Sequence, residues 1–156
     1  MMTTTEFDFT QIFADERLGF LSTIHKESGA IQKNAVSWIY GYKPKVLRVA
    51  VSTKSDIVSN IESNANVNFS FFYNKSIVSF QNKARILTKK MPGVPFPLTL
   101  IELSTNELHD IMFYGAEIAQ EPVYKKTYNI EAAKKLDKQV YASMALSEEE
   151  MEAAKE

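Results

Sequence analysis

KVLRVAVSTKSDIVSNIESN, residues 45–64, opens as an apolar strand and closes as an amphipathic helix, with only a turn between them. Val46 to Val51 is mostly apolar, the pattern of a strand buried on both faces. After Lys54 the apolar residues Ile57, Val58 and Ile61 recur at helical spacing, and the helix ends near Ser63-Asn64. Between the two lie Ser52, Thr53, Lys54 and Ser55, three hydroxyls and an ammonium. A helix N-terminus carries unpaired N–H donors and partial positive charge, so this junction suits an anion, above all a phosphate. The plainer reading is an ordinary N-cap beside a solvated lysine. Lys54-Ser55 also resembles the end of a P-loop, but the glycines that would let the backbone wrap a triphosphate are missing, which excludes an NTPase.

Outward from this stretch, strands dominate. Phe7 to Ala14 reads as a short helix, and Gly19 to Ile24 as a strand closed by the Glu27-Ser28-Gly29 turn. Ile31 to Tyr40 reads as one strand, in which Ala35, Ser37 and Ile39 alternate with Val36, Trp38 and Tyr40. Val67 to Tyr73 is the next strand after the helix, Ile77 to Thr88 a long one, and Leu98 to Leu103 the last. Asn129 to Met144 is helical, with Ile130, Ala133, Leu136 and Val140 on one side. Ser147 and Glu150 form a capping-box pattern that opens an acidic end, expected as a frayed helix or disordered. The expected organisation is one domain over 1–146 and an acidic tail over 147–156. The fold class is mainly β (α+β): a six-stranded antiparallel split barrel with flanking helices.

Composition narrows the function classes. The 156 residues are 45% hydrophobic and 24% charged, ordinary for a soluble globular chain, with a formal charge of -1. No global field recruits nucleic acid or an anionic membrane. There is no cysteine, which removes disulfides, thiolate metal sites and cysteine nucleophiles, and fits a reducing cytoplasm. The N-terminus lacks a secretory pattern, and no apolar run reaches the ~20 residues that span a bilayer. His25 and His109 lie far apart without ligand spacing, so no metal site and no hydrolytic triad is expected.

Four pieces taken in order resemble the pyridoxamine 5'-phosphate oxidase-like family of FMN-binding split barrels. They are Leu18 to Thr23, Asn34 to Trp38, the run Arg48 to Ser55 leading into Asn60 to Val67, and Asn82 to Ile86. The resemblance covers roughly Phe13 to Leu103. It implies that Lys33, Asn34, Ala35, Val36, Ser37 and Trp38 face the flavin and its ribityl chain, with Lys33 where an arginine often reaches the phosphate. It implies that Ser52, Thr53, Lys54 and Ser55 grip that phosphate. A homodimer with cofactor at the subunit interface is implied as well, and within the family heme or deazaflavin can replace FMN. Asn64-Ala65 replaces the family's Asn-Pro. The last third lacks the paired arginines and the tryptophan of true pyridoxamine phosphate oxidases, which argues against vitamin B6 oxidation.

Two further residues join the candidate set, Val51 at the end of its strand and Arg48 within it. Arg48 either faces the ligand or a partner subunit, or pairs with a carboxylate. Trp38 and Tyr40 share a strand face and serve either core or flavin edge. Glu102, Glu107, Asp110 and Glu117 read as a solvated face; Lys83, Arg85, Lys89 and Lys90 read as a salt-bridged or solvated edge. The function expected is an FMN-dependent oxidoreductase that passes a hydride from NAD(P)H to a small-molecule acceptor, with no catalytic residue singled out. The alternative is a non-catalytic flavin- or heme-binding protein in sensing, storage or stress response.

Overall fold

A computed structural model describes residues 3–155. In chain order the elements are β1 (Thr3–Thr4), α1 (Phe9–Ile12), β2 (Gly19–Ile24), β3 (Ile31–Val36), β4 (Ile39–Lys43), β5 (Val46–Ser52) and α2 (Asp56–Ser63). Then come β6 (Asn66–Tyr73), β7 (Ser76–Lys83), β8 (Arg85–Thr88), β9 (Leu98–Ser104), β10 (Leu108–Asp110), α3 (Ile130–Met144) and α4 (Glu148–Ala154). The strands form two antiparallel sheets, ordered β1-β10-β7-β6-β2-β3 and β4-β5-β9-β8. This is the split barrel with flanking helices that the sequence predicts.

Two strands expected to be continuous are broken, and the breaks make the barrel. The stretch 31–40 leaves the first sheet after Val36, turns at Ser37-Trp38, and enters the second sheet at Ile39. The stretch 77–88 does the same at Ala84, whose N–H donates to the Ala65 carbonyl at 2.8 Å. Such corners let one run of chain serve both sheets around a shared core. At Ala84 the inward side keeps its alternation, Val78 and Phe80 before the corner and Ile86 after it, so periodicity alone reads through. At Ser37-Trp38 it switches, Val36 and Ile39 both entering the barrel core while Trp38 and Tyr40 turn to the outer layer. The two-residue β1 and three-residue β10 carry too little pattern to be read at all.

The inner faces meet in one core. Leu21, Phe69, Phe71 and Phe80 come from the first sheet, and Leu47, Val49, Ile101 and Leu103 from the second. Phe9 and Phe13 close one side, with ring centroids 5.7 Å from Phe80 and 5.1 Å from Phe71 respectively. The α1 segment presses so closely on β4 that a Cβ at Gly41 would lie 2.1 Å from the Phe9 carbonyl oxygen, so only glycine fits there. Ile57, Val58 and Ile61 of α2 pack into the same core.

A second apolar layer covers the outside of the four-stranded sheet. Ala50, Leu98 and Leu100 meet Met91 of the β8–β9 connection, Val140 and Met144 of α3, and Met151 of α4. The acidic end is therefore an ordered helix, not a frayed one. Ser147 and Glu150 form the capping box reciprocally, and Met151 is buried. Of the expected apolar side of α3, Ala133 and Val140 are buried, whereas Ile130 is exposed.

Candidate functional site

The site begins with a strand that has one free edge. β3 is the outermost strand of the six-stranded sheet and pairs only with β2, with Ser22 opposite Lys33 and Phe20 opposite Ala35. Ile31, Lys33 and Ala35 are exposed on one face, while Gln32, Asn34 and Val36 point the other way. Beyond the corner, the Ala50 N–H donates to the Trp38 carbonyl at 3.0 Å, continuing the pairing of Ile39 with Val49. That antiparallel register carries the end of β5 back along the corner toward Val36. The turn Ser52 to Ser55 follows directly from that end of β5 and leads into α2.

Helix α2 is then locked in place by a buried amide. Asn60 Nδ2 donates to Thr23 Oγ1 at 3.0 Å and to Gln32 Oε1 at 3.1 Å, and its Oδ1 accepts the Lys26 N–H at 3.1 Å. Gln32 Nε2 in turn donates to Asn34 Oδ1 at 3.3 Å. A fully buried amide that satisfies three partners fixes the helix against β2 and β3. The sequence signal for this role is a polar residue set amid Ile57, Val58 and Ile61, which needs a partner inside.

The turn is pinned from below and open above. Thr53 donates its hydroxyl to the Lys89 carbonyl at 2.6 Å and lies 2.9 Å from the Thr99 hydroxyl, while its N–H reaches the Pro97 carbonyl. Ser55 is the N-cap of α2, its Oγ accepting the Ile57 N–H at 3.1 Å, and Ser52 Oγ accepts the Lys54 N–H at 3.3 Å. Lys33 and Lys54 are exposed, and neither has an ion-pair partner among the described residues. Asp56, in the first turn of α2, is a negative charge two residues from Lys54.

The candidate residues therefore divide. Lys33, Ala35, Ser52 and Lys54 are exposed, with Ser55 partly so, along one strand edge and the adjoining turn. Asn34 and Val36 face inward, Val51 lies in the barrel core, and Thr53 is committed to the β8–β9 connection. Ser37 and Trp38 lie under α3: the Ser37 carbonyl accepts from the Tyr141 hydroxyl at 3.1 Å, and Trp38 Nε1 donates to Asp137 Oδ1 at 2.8 Å. Burial, and then the charges of Glu16 and Asp137, raise the pKa of the Tyr141 phenol, keeping it a donor.

Arg48 follows its second reading, the paired charge. Its side chain is 1% exposed; Nε donates to Glu102 at 3.3 Å, and Nη1 donates to the Met144 carbonyl at 2.9 Å and to that of Leu146. The guanidinium carbon lies 3.5 Å from the centre of the Tyr42 ring. Its donors hold the end of α3 and the chain entering α4, away from the turn at Ser52. The histidines are also placed elsewhere: His25 Nδ1 accepts the Glu27 and Ser28 N–H groups in the β2–β3 turn, and His109 bonds to Thr3 and Glu107. Among the described residues no cluster of three metal-ligating side chains occurs, and no helix is long and apolar enough to cross a membrane.

The two-sheet split-barrel architecture is shared by solved structures. The chain superposes on General Stress Protein 26 of Bacillus anthracis with a TM-score of 0.53 at 18% identity, over 66% of this chain and 90% of the other. It superposes on HupZ of Group A Streptococcus with a TM-score of 0.53 at 14% identity, over 77% of this chain and 100% of the other. A candidate pyridoxamine 5'-phosphate oxidase from Lactobacillus delbrueckii gives 0.50 at 14% identity, over 65% and 89%. At these identities the likeness is one of fold. No protein-family profile matches the chain, and no curated protein matches its sequence.

Proposed function

We propose that this chain is an FMN-binding flavoprotein, working as a homodimer, that passes reducing equivalents between NAD(P)H and a small acceptor. The observation that supports it is the start of α2, where Ser52, Ser55 and an exposed Lys54 without an ion-pair partner among the described residues come together, with Lys33 exposed on the edge strand β3. An ammonium, hydroxyls and a helix N-terminus are a donor set suited to a terminal phosphate, with Asp56 an opposing charge in the first turn of the helix. The residues present therefore fit the group.

Lys33, Lys54, Ser52 and Ser55 would hold the phosphate, and Ala35, with no side chain beyond its Cβ, leaves the strand edge open to a flat ring. Bound flavin supplies the redox chemistry, which explains why no acid–base pair or nucleophile is needed among these side chains. The protein's work is to bind, to orient and to exclude water. Asn60 performs part of it by fixing α2 against β3.

The test is an absorbance spectrum of purified protein before and after loading with FMN and removing the unbound portion. Flavin bands near one per chain, followed by NAD(P)H oxidation, are the expected result. Protein that retains no flavin after loading overturns the reading, and a Soret band would replace flavin with heme.

A further inference from the structure

Among the described residues nine large apolar side chains are exposed, and seven of them fall between Ile111 and Ile130. Residues 111–129 form neither helix nor strand. A stretch that long without regular structure is unusual in a small domain, and where it is ordered it serves a function. This one is tied down along its length. The Ile111 and Ile118 N–H groups donate to the Ile77 and Lys75 carbonyls at 2.9 and 2.7 Å, and Met112 N–H donates to Asp110 at 2.9 Å. Further on, Arg17 binds Glu121 at 3.0 Å, and Glu16 accepts from Tyr124 at 2.7 Å and from Lys126 at 3.0 Å.

The backbone of this arm is fixed while its large side chains point outward. Phe113 is 71% and Tyr114 102% exposed, beside a turn at Gly115 with φ of 90°. Scaled by exposure, the seven side chains offer roughly 800 Å², about one partner's share of a standard protein–protein interface. Seven large exposed side chains gathered on one ordered arm are unlike the singly scattered exposure of a monomer.

Charge selects the occupant. The arm carries Glu117, Glu121, Lys125 and Lys126, which sum to zero and give no field for a phosphate-rich partner. Glu121 and Lys126 are paired with Arg17 and Glu16, whereas Glu117 and Lys125 have no ion-pair partner among the described residues. A twofold contact uses every pair twice, from each copy to the other, so one free acid and one free base on the same arm are self-complementary. We propose that the arm docks on a second copy of this chain across a twofold axis, with Phe113 and Tyr114 as its aromatic anchors. This deepens the homodimeric reading above by naming the surface.

Sedimentation velocity on the full chain tests it, with flavin content read on the same samples. Wild-type protein is expected as a dimer. F113S/Y114S, changed only at exposed positions, should keep its far-UV spectrum and raise the dimer dissociation constant at least tenfold. Glu117→Lys or Lys125→Glu alone should weaken the dimer, and the two together should restore it. An F113S/Y114S protein that stays as dimeric as wild type overturns the arm proposal while leaving a homodimeric flavoprotein standing. A wild-type monomer overturns both the arm and the homodimer, whatever its flavin content. A monomer that floats with anionic vesicles would assign the arm to a lipid surface instead.

Discussion

The indole Nε1 of Trp38 donates to Asp137 Oδ1 at 2.8 Å, joining the corner between β3 and β4 to the middle of α3. One turn further along the same helix, Tyr141 donates its hydroxyl to the carbonyl of Ser37 at 3.1 Å. Residues four apart on a helix share a face, so a single face of α3 satisfies both polar groups at the corner. The corner decides how β3 is presented and where β5 ends. The C-terminal third therefore supports the candidate site without lying in it.

Asp137→Ala should leave the indole N–H without its acceptor and cost about 1–3 kcal/mol. Trp38 is the only tryptophan, so its emission reports on the corner directly. A lowered midpoint in urea with a red-shifted native emission is the expected result. Native emission identical to wild type would mean that the contact does not hold the ring.

Arg48→Met should be among the most damaging single changes. It strips two helix-end carbonyls of their donor and leaves Glu102 with Arg85 alone, 3.1 Å away on the surface. Breaking a buried pair from one side costs about 3–5 kcal/mol. Because the guanidinium faces the α3–α4 junction, the protein that remains folded should bind FMN as wild type does. Titration at a temperature where the variant is folded checks this, and a selective loss of affinity would return Arg48 to the ligand site.

How far the sequence reaches is shown by the residues on either side of each corner. The strand–turn–helix of 45–64 was legible because a nearly continuous apolar run gives way, across the Ser52 to Ser55 turn, to apolar residues at helical spacing. The corner at Ala84 was not, since inward alternation continues through it, and that at Ser37-Trp38 was not, since Val36, Trp38, Ile39 and Tyr40 are all apolar enough to hide which layer each enters. Lys54 was legible as a cation next to hydroxyls, whereas Lys33, between Gln32 and Asn34, entered only through the family resemblance. Asp137 and Tyr141 carried no signal, because their role depends on a contact across about a hundred residues of chain. Met151 was obscured by the glutamates around it, whose charge suggested a solvated end.

Met151→Ala tests that end. The side chain is buried against the layer of Ala50, Leu98 and Met144, and removing it should cost about 2 kcal/mol or more through lost transfer energy and the cavity left behind. Thermal denaturation measures it. A variant with unchanged melting temperature would mean that α4 does not stay docked in solution.

Acid should loosen the root of the arm first. The Met112 N–H, and then the Ser76 hydroxyl, hold the Asp110 carboxyl below its ordinary pKa. A carboxyl depressed in the folded state contributes stability that is complete above its unfolded pKa of about 3.9 and lost as pH falls through the folded value. Hydrogen exchange at Met112, corrected for intrinsic rate, should accelerate below that pH while the β6–β7 amides stay protected. Asp110→Asn keeps an acceptor oxygen without the titration, and should flatten the pH dependence. If the substituted protein shows the same acid step, another group is responsible.

Lys33→Ala and Lys54→Ala should each weaken FMN binding by tenfold or more, as expected of a charge-assisted contact of about 1.5–3 kcal/mol. Both lysines are exposed, so neither change should disturb folding, and the contribution of each should shrink as salt is added. Riboflavin, which has the same ring and no phosphate, should bind both variants as it binds wild type. The preference for FMN over riboflavin is therefore the decisive quantity. If it survives in the doubly substituted protein, the phosphate is held by something other than the edge of β3 and the start of α2, and the site must be sought elsewhere on the barrel.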